Sequence, residues 1–327
     1  MVDTVDEFKP SGYYRVEPLV EGFSATNAHY FTHLCRVAYK DPEIAKVELC
    51  SKLGYTKFFW FNSDHNNHHG YVVAQTSHVA VVFRGTDSKA NWATNLDVLL
   101  TRTKHGHLHR GFHYALDSMW SGGKSTKKGL RRIIKSLQAN HPTRPLFVCG
   151  HSLGAALASV AAARLELDVD EVSVTSVYTI GSPRVFARDY AAVYDKALKS
   201  KTFRAVNNND LVARFPHGLK HVGIEVYIGS SGTIRPRRCY DRIVGRWDSL
   251  VHGRLDDGRY DHQSVRYEEA FLAAIETEKA KAKRSAKNVA IKAEKRGHTN
   301  RVAVRGKHKR ARSRPRPRQS RSVKHSQ

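Results

Sequence analysis

Short apolar runs and helix-spaced apolar positions follow one another through most of the chain. Runs typical of buried strands lie at residues 58–61, 71–76, 79–83, 145–149, 172–180, 201–206 and 222–228. Helical spacing lies at residues 27–38, 42–53, 112–120, 130–139, 155–165, 190–198 and 264–283. Strands that alternate with helices favour a mostly parallel sheet covered on both faces. The pattern therefore predicts an α/β fold.

This pattern ends near residue 285, where Arg, Lys, Ser and Pro replace the apolar positions. No aromatic residue follows Phe271. Residues 279–327 carry 19 Lys and Arg against the single acid Glu294, a net +18 of the chain's +25, which leaves the rest mildly basic at +7. Such a segment cannot bury a core. We predict an α/β domain over residues 1–278 and a disordered basic tail over residues 279–327.

One motif lies where a predicted strand passes into a predicted helix. Gly150, Ser152 and Gly154 fit the pattern G-x-S-x-G. A serine whose hydroxyl projects from a cramped turn needs neighbours with almost no side chain, which explains both glycines. The alternative is a tight turn with an incidental serine. Between a strand and a helix, the motif favours a nucleophile at Ser152 in an α/β-hydrolase fold.

A nucleophilic serine needs a base, and the base needs an acid that orients it. In α/β-hydrolases these follow in the chain order Ser, Asp or Glu, His. Asp168 and Asp170 follow the helix after the motif, so we expect them at the wrong edge of the sheet, and Asp189 is another candidate. Asp210 follows the strand predicted at 201–206, where a carboxyl-end loop begins. We predict Asp210 as the acid, with a turn aspartate as the alternative.

Four histidines follow Asp210: His217, His221, His252 and His262. His217 and His221 lie on chain that must still run into the next strand. His262 lies in a loop just before the last predicted helix, which can anchor that loop at the top of the sheet. We predict His262 as the base, with His252 as its rival.

The oxyanion hole of this fold uses the backbone N–H after the nucleophile and a donor from an earlier strand-to-loop junction. The first donor is Leu153. The strand at 79–83 supplies the junction, where Gly85 allows a close backbone approach and Thr86 offers an N–H and a hydroxyl. We predict Thr86 and Leu153 as the oxyanion donors.

Several segments, in chain order, resemble the class 3 lipase family, α/β-hydrolases that include secreted triacylglycerol lipases. The matching segments are Phe-Arg-Gly-Thr at 83–86, Asn-Trp at 91–92, His-Arg-Gly-Phe at 109–112, Gly-His-Ser-Leu-Gly-Ala-Ala-Leu at 150–157, Gly-Ser-Pro-Arg-Val at 181–185 and Phe-Arg-Ala-Val-Asn-Asn-Asn-Asp at 203–210. The resemblance runs from about residue 27 to residue 271. It implies an ester hydrolase with Ser152, Asp210 and Thr86 in the roles above; His262 matches a looser motif.

Two features depart from the family. The lid segment, residues 87–95, offers only Trp92 as a bulky apolar residue, which puts activation at oil surfaces and a long-chain preference in doubt. The basic tail has no counterpart in the family. We consider two binding partners for it, an anionic membrane surface and nucleic acid, beside a merely solvated or export-related tail.

The sequence predicts a serine carboxylic-ester hydrolase acting on acyl esters of lipids through an acyl-enzyme. Three other functions stay open: a phospholipase, a thioesterase, and a non-catalytic scaffold whose tail does the binding. The chemistry needs no metal or organic cofactor. The histidines at 65, 68 and 69 and at 105, 107 and 109 lack Cys or carboxylates at ligand spacing, so solvated loops are the better interpretation.

Cysteine content and the N-terminus bear on location. Four scattered cysteines make no disulfide framework, and residues 1–7 are acidic and unlike a signal peptide. No apolar stretch is long enough to span a membrane. These observations favour an intracellular protein, with leaderless export as the alternative.

Overall fold

Ten strands and seven α-helices are formed by the residues that the structure describes. The structure is a computed structural model and describes residues 14–63, 68–86, 98–122, 128–139, 141–229, 233–235 and 261–311, with side chains to residue 289. The strands are β1 (Lys57–Asn62), β2 (His69–Ala74), β3 (Val79–Phe83), β4 (Leu100–Thr103), β5 (Gly106–His109), β6 (Leu146–His151), β7 (Ser176–Ile180), β8 (Thr202–Asn207), β9 (Ile224–Ile228) and β10 (Ile234–Arg235). The helices are α1 (Ala25–Val37), α2 (Pro42–Val47), α3 (Arg110–Trp120), α4 (Leu130–Ala139), α5 (Leu153–Asp168), α6 (Arg188–Leu198) and α7 (Ser264–Ala311).

Eight of these strands form one sheet in the order β1-β2-β3-β6-β7-β8-β9-β10. The centre, β3-β6-β7-β8-β9, is parallel, and β1, β2 and β10 are antiparallel additions at the two edges. Strands β4 and β5 form a separate hairpin. In a parallel sheet all carboxyl ends share one edge, where β3, β6 and β8 deliver the loops of the site.

Successive side chains of the central strands enter two different apolar layers, because strand side chains alternate between faces. On β6, Val148 packs with α3, α4, α5 and α6, whereas Phe147 and Cys149 pack with α1 and the start of α7. Both layers are fully buried, which explains why the central strands are continuous apolar runs. The predicted mostly parallel sheet with helices on both faces is confirmed.

Local sequence explains where several helices begin. Ser24 caps α1 by accepting a hydrogen bond from the backbone N–H of Asn27, and Asp41 caps α2 in the same way from Glu43. Pro42 stands in the first turn of α2, where its missing N–H costs nothing. Each of the predicted strands and helices is present, although β7 begins only at Ser176 and α2 ends at Val47, where a π-helical turn, Glu48–Lys52, follows it.

The last helix differs from the prediction. We expected it to end at residue 283 and residues 279–327 to be disordered, but α7 continues to Ala311. Ala, Lys, Arg and Glu dominate residues 276–311, these are strong helix formers, and no proline interrupts them. A segment can therefore be helical without an apolar core. The chain separates into the units Met1–Ile275 and Glu276–Gln327, and the domain boundary after residue 278 stays a prediction.

Candidate active site

Ser152 occupies a sharp turn between β6 and α5. Its φ of 59° and ψ of −127° are unusual for a residue with a side chain and cost about 1–3 kcal/mol. A Cβ on Gly150 would lie 2.1 Å from the carbonyl oxygen of Gly154, and one on Gly154 would lie 2.2 Å from that of Phe83. Both glycines of the motif are therefore required sterically.

The structure brings Ser152, His262 and Asp210 together, although 110 residues separate the serine from the histidine. His262 Nε2 lies 2.8 Å from Ser152 Oγ, and His262 Nδ1 lies 2.9 and 3.0 Å from the two carboxylate oxygens of Asp210. The distances suit a hydroxyl that donates to the imidazole and an Nδ1–H that donates to the carboxylate.

Asp210 is buried, with 1% of its surface exposed, yet all its contacts favour the charged form. The backbone N–H of Val212 donates to Oδ1 at 2.8 Å, and the hydroxyl of Tyr267 donates to Oδ2 at 2.6 Å. Burial alone would raise the pKa of Asp210. The charge and hydrogen bond of His262 and the bond from Tyr267 outweigh burial, so this pKa is lowered.

The loops that carry Asp210 and His262 are bonded to each other. The carboxylate of Asp261 accepts hydrogen bonds from Asn208 Nδ2 at 3.1 Å and from the backbone N–H of Asn209 at 3.0 Å. The backbone carbonyl of Asp261 accepts one from Asn207 Nδ2 at 3.0 Å. These bonds hold His262 beside the end of β8, where Asp210 lies.

Gly181, at the end of β7, makes room for the Asp210–His262 pair. A Cβ there would lie 2.8 Å from Asp210 Oδ2 and 2.9 Å from His262 Nδ1, and the residue has a φ of +59°. Any side chain would be strained and would push against the pair.

Leu153 directly follows the serine, and Thr86 directly follows Gly85, whose backbone approaches the serine. Leu153 begins α5, so its N–H is among the first four that a helix leaves without an intrahelical partner. Phe83 of β3 is paired with Gly150 of β6, and a Cβ on Gly85 would lie 3.1 Å from that of Ser152. The chain leading to Thr86 therefore passes close to the nucleophile. The role of both residues as oxyanion donors stays a prediction.

The other candidates lie elsewhere or outside the described residues. Asp168 pairs with Lys104 and His105, Asp189 pairs with His107, and His221 donates to the carbonyl of Ala213. His252, the rival base, lies outside the described residues, as do His65 and the lid segment, residues 87–95. Within the described ranges, no group of three or more His, Cys, Asp or Glu could hold a metal ion. His105 to His109 belong to the β4–β5 hairpin, not to a loop alone.

Sequence reasoning missed His151, Tyr39 and Tyr267. His151 is buried, stacks on the His262 ring with centroids 4.8 Å apart, and bonds both the His262 carbonyl and Tyr39. The only available signals were a histidine inside the G-x-S-x-G motif and a tyrosine on the helix after His262. Neither signal identifies a partner that is more than 50 residues away.

A parallel sheet with a strained serine after a central strand, and with Ser, Asp and His in that chain order, defines an α/β-hydrolase. Residues 80–219 match the family model described as lipase (class 3). The similarity to class 3 lipases therefore covers the segment that carries Ser152 and Asp210. The match lies inside the range of residues 27–271 over which the motifs resemble the family.

Curated lipases are similar to part of this chain, and solved lipase structures share its fold. A secreted mono- and diacylglycerol lipase A of Penicillium cyclopium is 34% identical over 49% of this chain and 52% of its own length. A chloroplastic phospholipase A(1) of Arabidopsis thaliana is 30% identical over 42% of this chain and 33% of its own length. The chain thus spans about half or less of these relatives. The Rhizomucor miehei triacylglyceride lipase structure has a TM-score of 0.56 at 21% identity, covering 66% of this chain and 88% of that one, which shows a shared fold.

The lipase II structure from Rhizopus niveus is similar in fold, with a TM-score of 0.55 at 22% identity over 68% of this chain and 92% of that one.

The names of the two curated relatives place one outside the cell and one in the chloroplast. The intracellular location of this chain stays a prediction. Among the described helices, none has both the length and the apolar composition needed to cross a membrane.

Proposed function

We propose that this chain hydrolyses acyl esters of lipids through an acyl-enzyme formed on Ser152. The observation that carries the proposal is the continuous chain of contacts from Ser152 Oγ through both ring nitrogens of His262 to Asp210, at 2.8 and 2.9 Å. A non-catalytic scaffold would not require a strained serine within hydrogen-bond distance of an imidazole that is itself bonded to a buried carboxylate.

In the proposed reaction, His262 Nε2 takes the proton of Ser152 as Oγ attacks the ester carbonyl carbon. Asp210 stabilises the imidazolium and holds its orientation. The N–H of Leu153 and the donors of Thr86 bind the oxyanion, and one such donor is typically worth about 2.7–4 kcal/mol. The intermediate collapses, the C–O bond breaks, and His262 returns the proton to the leaving alkoxide. Water then attacks the acyl-enzyme with His262 as the base, which releases the acid and restores Ser152.

Lipid esters are the substrate class that an exposed apolar run of this chain favours. Val98, Leu99 and Leu100 are three consecutive apolar residues with 44, 47 and 45% of their surface exposed, where the chain re-enters the described structure after the lid segment. Exposed apolar runs of this kind are typical of surfaces that contact lipid or a partner. A phospholipase is the second candidate, since the Arabidopsis relative is named as one.

A substrate series tests the proposal. We expect p-nitrophenyl esters of short and long acids to be cleaved, and Ser152→Ala to abolish cleavage with an unchanged far-UV circular dichroism spectrum. Release of fatty acid from emulsified diacylglycerol and from phosphatidylcholine then separates the lipase from the phospholipase. Cleavage by Ser152→Ala at the wild-type rate would exclude Ser152 as the nucleophile, and a wild type that cleaves no ester would instead identify a scaffold.

We also propose that the basic segment, residues 279–327, binds anionic phospholipid surfaces. Its net charge is +18, and every described side chain from residue 276 to residue 289 is exposed. Each basic residue near an anionic membrane contributes about 1 kcal/mol. A lipid-hydrolysing enzyme benefits from this attraction because its substrate lies in such surfaces.

Vesicle sedimentation tests this binding. The full chain should sediment with phosphatidylserine-containing vesicles and should dissociate from them as the salt concentration rises. It should not sediment with vesicles of pure phosphatidylcholine. A chain ending at residue 278 should not sediment with either kind of vesicle. Retention on duplex DNA to higher salt than on the anionic vesicles would favour nucleic acid as the partner and overturn the proposal.

A further inference from the structure

His151 holds a fixed protonation state beneath the candidate active site. Its Nε2 lies 2.8 Å from the backbone carbonyl oxygen of His262, and a carbonyl can only accept, so this nitrogen carries the hydrogen. Burial, followed by the nearby charge of His262, lowers the pKa of His151 to about 3, so the ring is neutral. Nδ1 is then an acceptor, and the Tyr39 hydroxyl, 2.9 Å away, is its donor.

Two contacts connect this neutral ring to His262. The hydrogen bond holds the His262 backbone, and the two imidazoles stack with centroids 4.8 Å apart and an interplanar angle of 28°. His151 ends β6 and directly precedes Ser152 in the rigid sheet. The same strand end therefore carries the nucleophile and the support for its base.

Tyr39 connects this support to the strand end that leads to Thr86. A Cβ on Gly85 would lie 2.2 Å from the Tyr39 hydroxyl oxygen and 2.7 Å from the His151 carbonyl oxygen. Gly85 therefore lets the Tyr39 hydroxyl reach His151, because any side chain at this position would occupy the path of the hydrogen bond.

We infer that His151 is a positioning residue that keeps His262 Nε2 aimed at Ser152, and that Tyr39 selects the tautomer of His151 in which this is possible. The inference rests on the proposed ester hydrolysis. A flipped tautomer would place a lone pair against the His262 carbonyl and repel the loop. A side chain that cannot donate would remove the hydrogen bond to the His262 backbone and leave the loop with the bonds of Asp261 and of the His262 ring.

Variants at residue 151 separate the hydrogen bond from the ring. His151→Gln keeps an amide donor, whereas His151→Phe keeps a stacking ring and loses the donor. We expect His151→Phe to lower kcat for a soluble p-nitrophenyl ester about 100-fold, the loss typical of a misplaced catalytic group, with KM within threefold of wild type. His151→Gln should recover at least a tenth of the wild-type kcat, and Tyr39→Phe should lie between the two.

The Tyr55–His78 pair is a matched control. It is also a buried tyrosine–histidine hydrogen bond, at 2.8 Å, and burial likewise lowers the pKa of His78, to about 4, but the pair does not touch His262. Tyr55→Phe should leave kcat within twofold of wild type. If Tyr55→Phe and Tyr39→Phe lower kcat equally, or if His151→Phe keeps wild-type kcat, the positioning role is wrong.

A readout that needs no turnover separates this inference from the proposed function. The Nδ1 proton that His262 shares with Asp210 should give a low-field ¹H NMR signal in the wild type, in Ser152→Ala and in Tyr55→Phe. We expect it to weaken or move in His151→Phe. An unchanged signal in His151→Phe would overturn the inference even in an active enzyme, whereas a wild type that shows the signal but cleaves no ester would refute only the proposed function.

Discussion

The carboxylate of Asp210 stays ionised although it is buried, because two donors and the imidazole of His262 surround it. We expect Asp210→Asn to lower kcat for a soluble ester by about 10⁴ with little change in KM. The amide cannot stabilise the imidazolium, and its NH₂ group favours the tautomer whose Nε2 carries a hydrogen and cannot accept the serine proton. Steady-state kinetics measure the loss. A kcat within tenfold of wild type would show that His262 does not depend on Asp210.

Two variants of Thr86 test whether its hydroxyl is an oxyanion donor. If its hydroxyl is a donor, Thr86→Ala should lower kcat by roughly 10²–10³, and Thr86→Ser, which keeps the hydroxyl, should stay near wild type. The pair of variants separates the hydroxyl from the backbone N–H, which both retain. Equal kcat values for the two would leave the oxyanion to backbone donors alone.

At the scale of elements, a buried ionic cluster ties α1 to the start of α7. The cluster consists of His33, Arg36, Glu48 and Glu268. Glu268 lies 2.6 Å from Arg36 and 3.2 Å from His33, whose other ring nitrogen lies 3.2 Å from Glu48. Since Tyr267 is the neighbour of Glu268 and bonds Asp210, this cluster anchors the helix that supports the site.

Removing one charge from this cluster should destabilise the fold. We expect Glu268→Gln to lower the free energy of unfolding by about 3 kcal/mol, because it removes the charge that compensates the half-buried Arg36 and part of that which compensates the buried His33. Glu269→Gln is the matched control: Glu269 is the next residue, is exposed, and pairs only at the surface with Arg266, so its loss should cost under about 1 kcal/mol. Urea unfolding at pH 5.5 measures both, and similar losses would contradict the role of the cluster.

The pH dependence of stability follows from the same contacts. Burial would raise the pKa of Glu268, but His33 and Arg36 outweigh it and lower this pKa from 4.5 to about 2. The carboxylate therefore stabilises the fold above pH 4.5, and its contribution is lost as pH falls from 4.5 towards 2. For His33, burial opposes the charge, but Glu268 and Glu48 raise the pKa above 6.5, so its contribution is lost as pH rises through that raised value.

Urea unfolding across this pH range checks the expectation. The difference in unfolding free energy between the wild type and Glu268→Gln should be largest between pH 4.5 and 6.5 and should shrink towards pH 2. A difference that stays constant from pH 6 to pH 2 would mean that Glu268 does not hold its charge through this cluster.

The central elements and the three proposed catalytic positions could be predicted from sequence because each carries a local signal. The apolar runs and the glycines around Ser152 report burial and a cramped turn within a few residues of chain. The choice of His262 over His217, His221 and His252 needed the family resemblance as well. His151 and Tyr39 had no usable local signal, since their contacts join residues that are 111 and 112 positions apart in the chain. The β4–β5 hairpin was missed because its strands are short and partly exposed.

At the scale of the whole molecule, every described contact of the site lies within the unit Met1–Ile275, whereas +16 of the chain's net charge of +25 lies after it. We expect a chain that ends at residue 278 to keep the thermal midpoint within a few degrees and kcat/KM for a soluble ester within twofold of the full chain. Differential scanning calorimetry and p-nitrophenyl ester kinetics measure these. The same truncation should lower the rate on anionic vesicles at low salt and leave it unchanged at high salt, because screening already removes the attraction there. A loss of soluble-ester turnover would instead make residues 279–327 part of the catalytic unit.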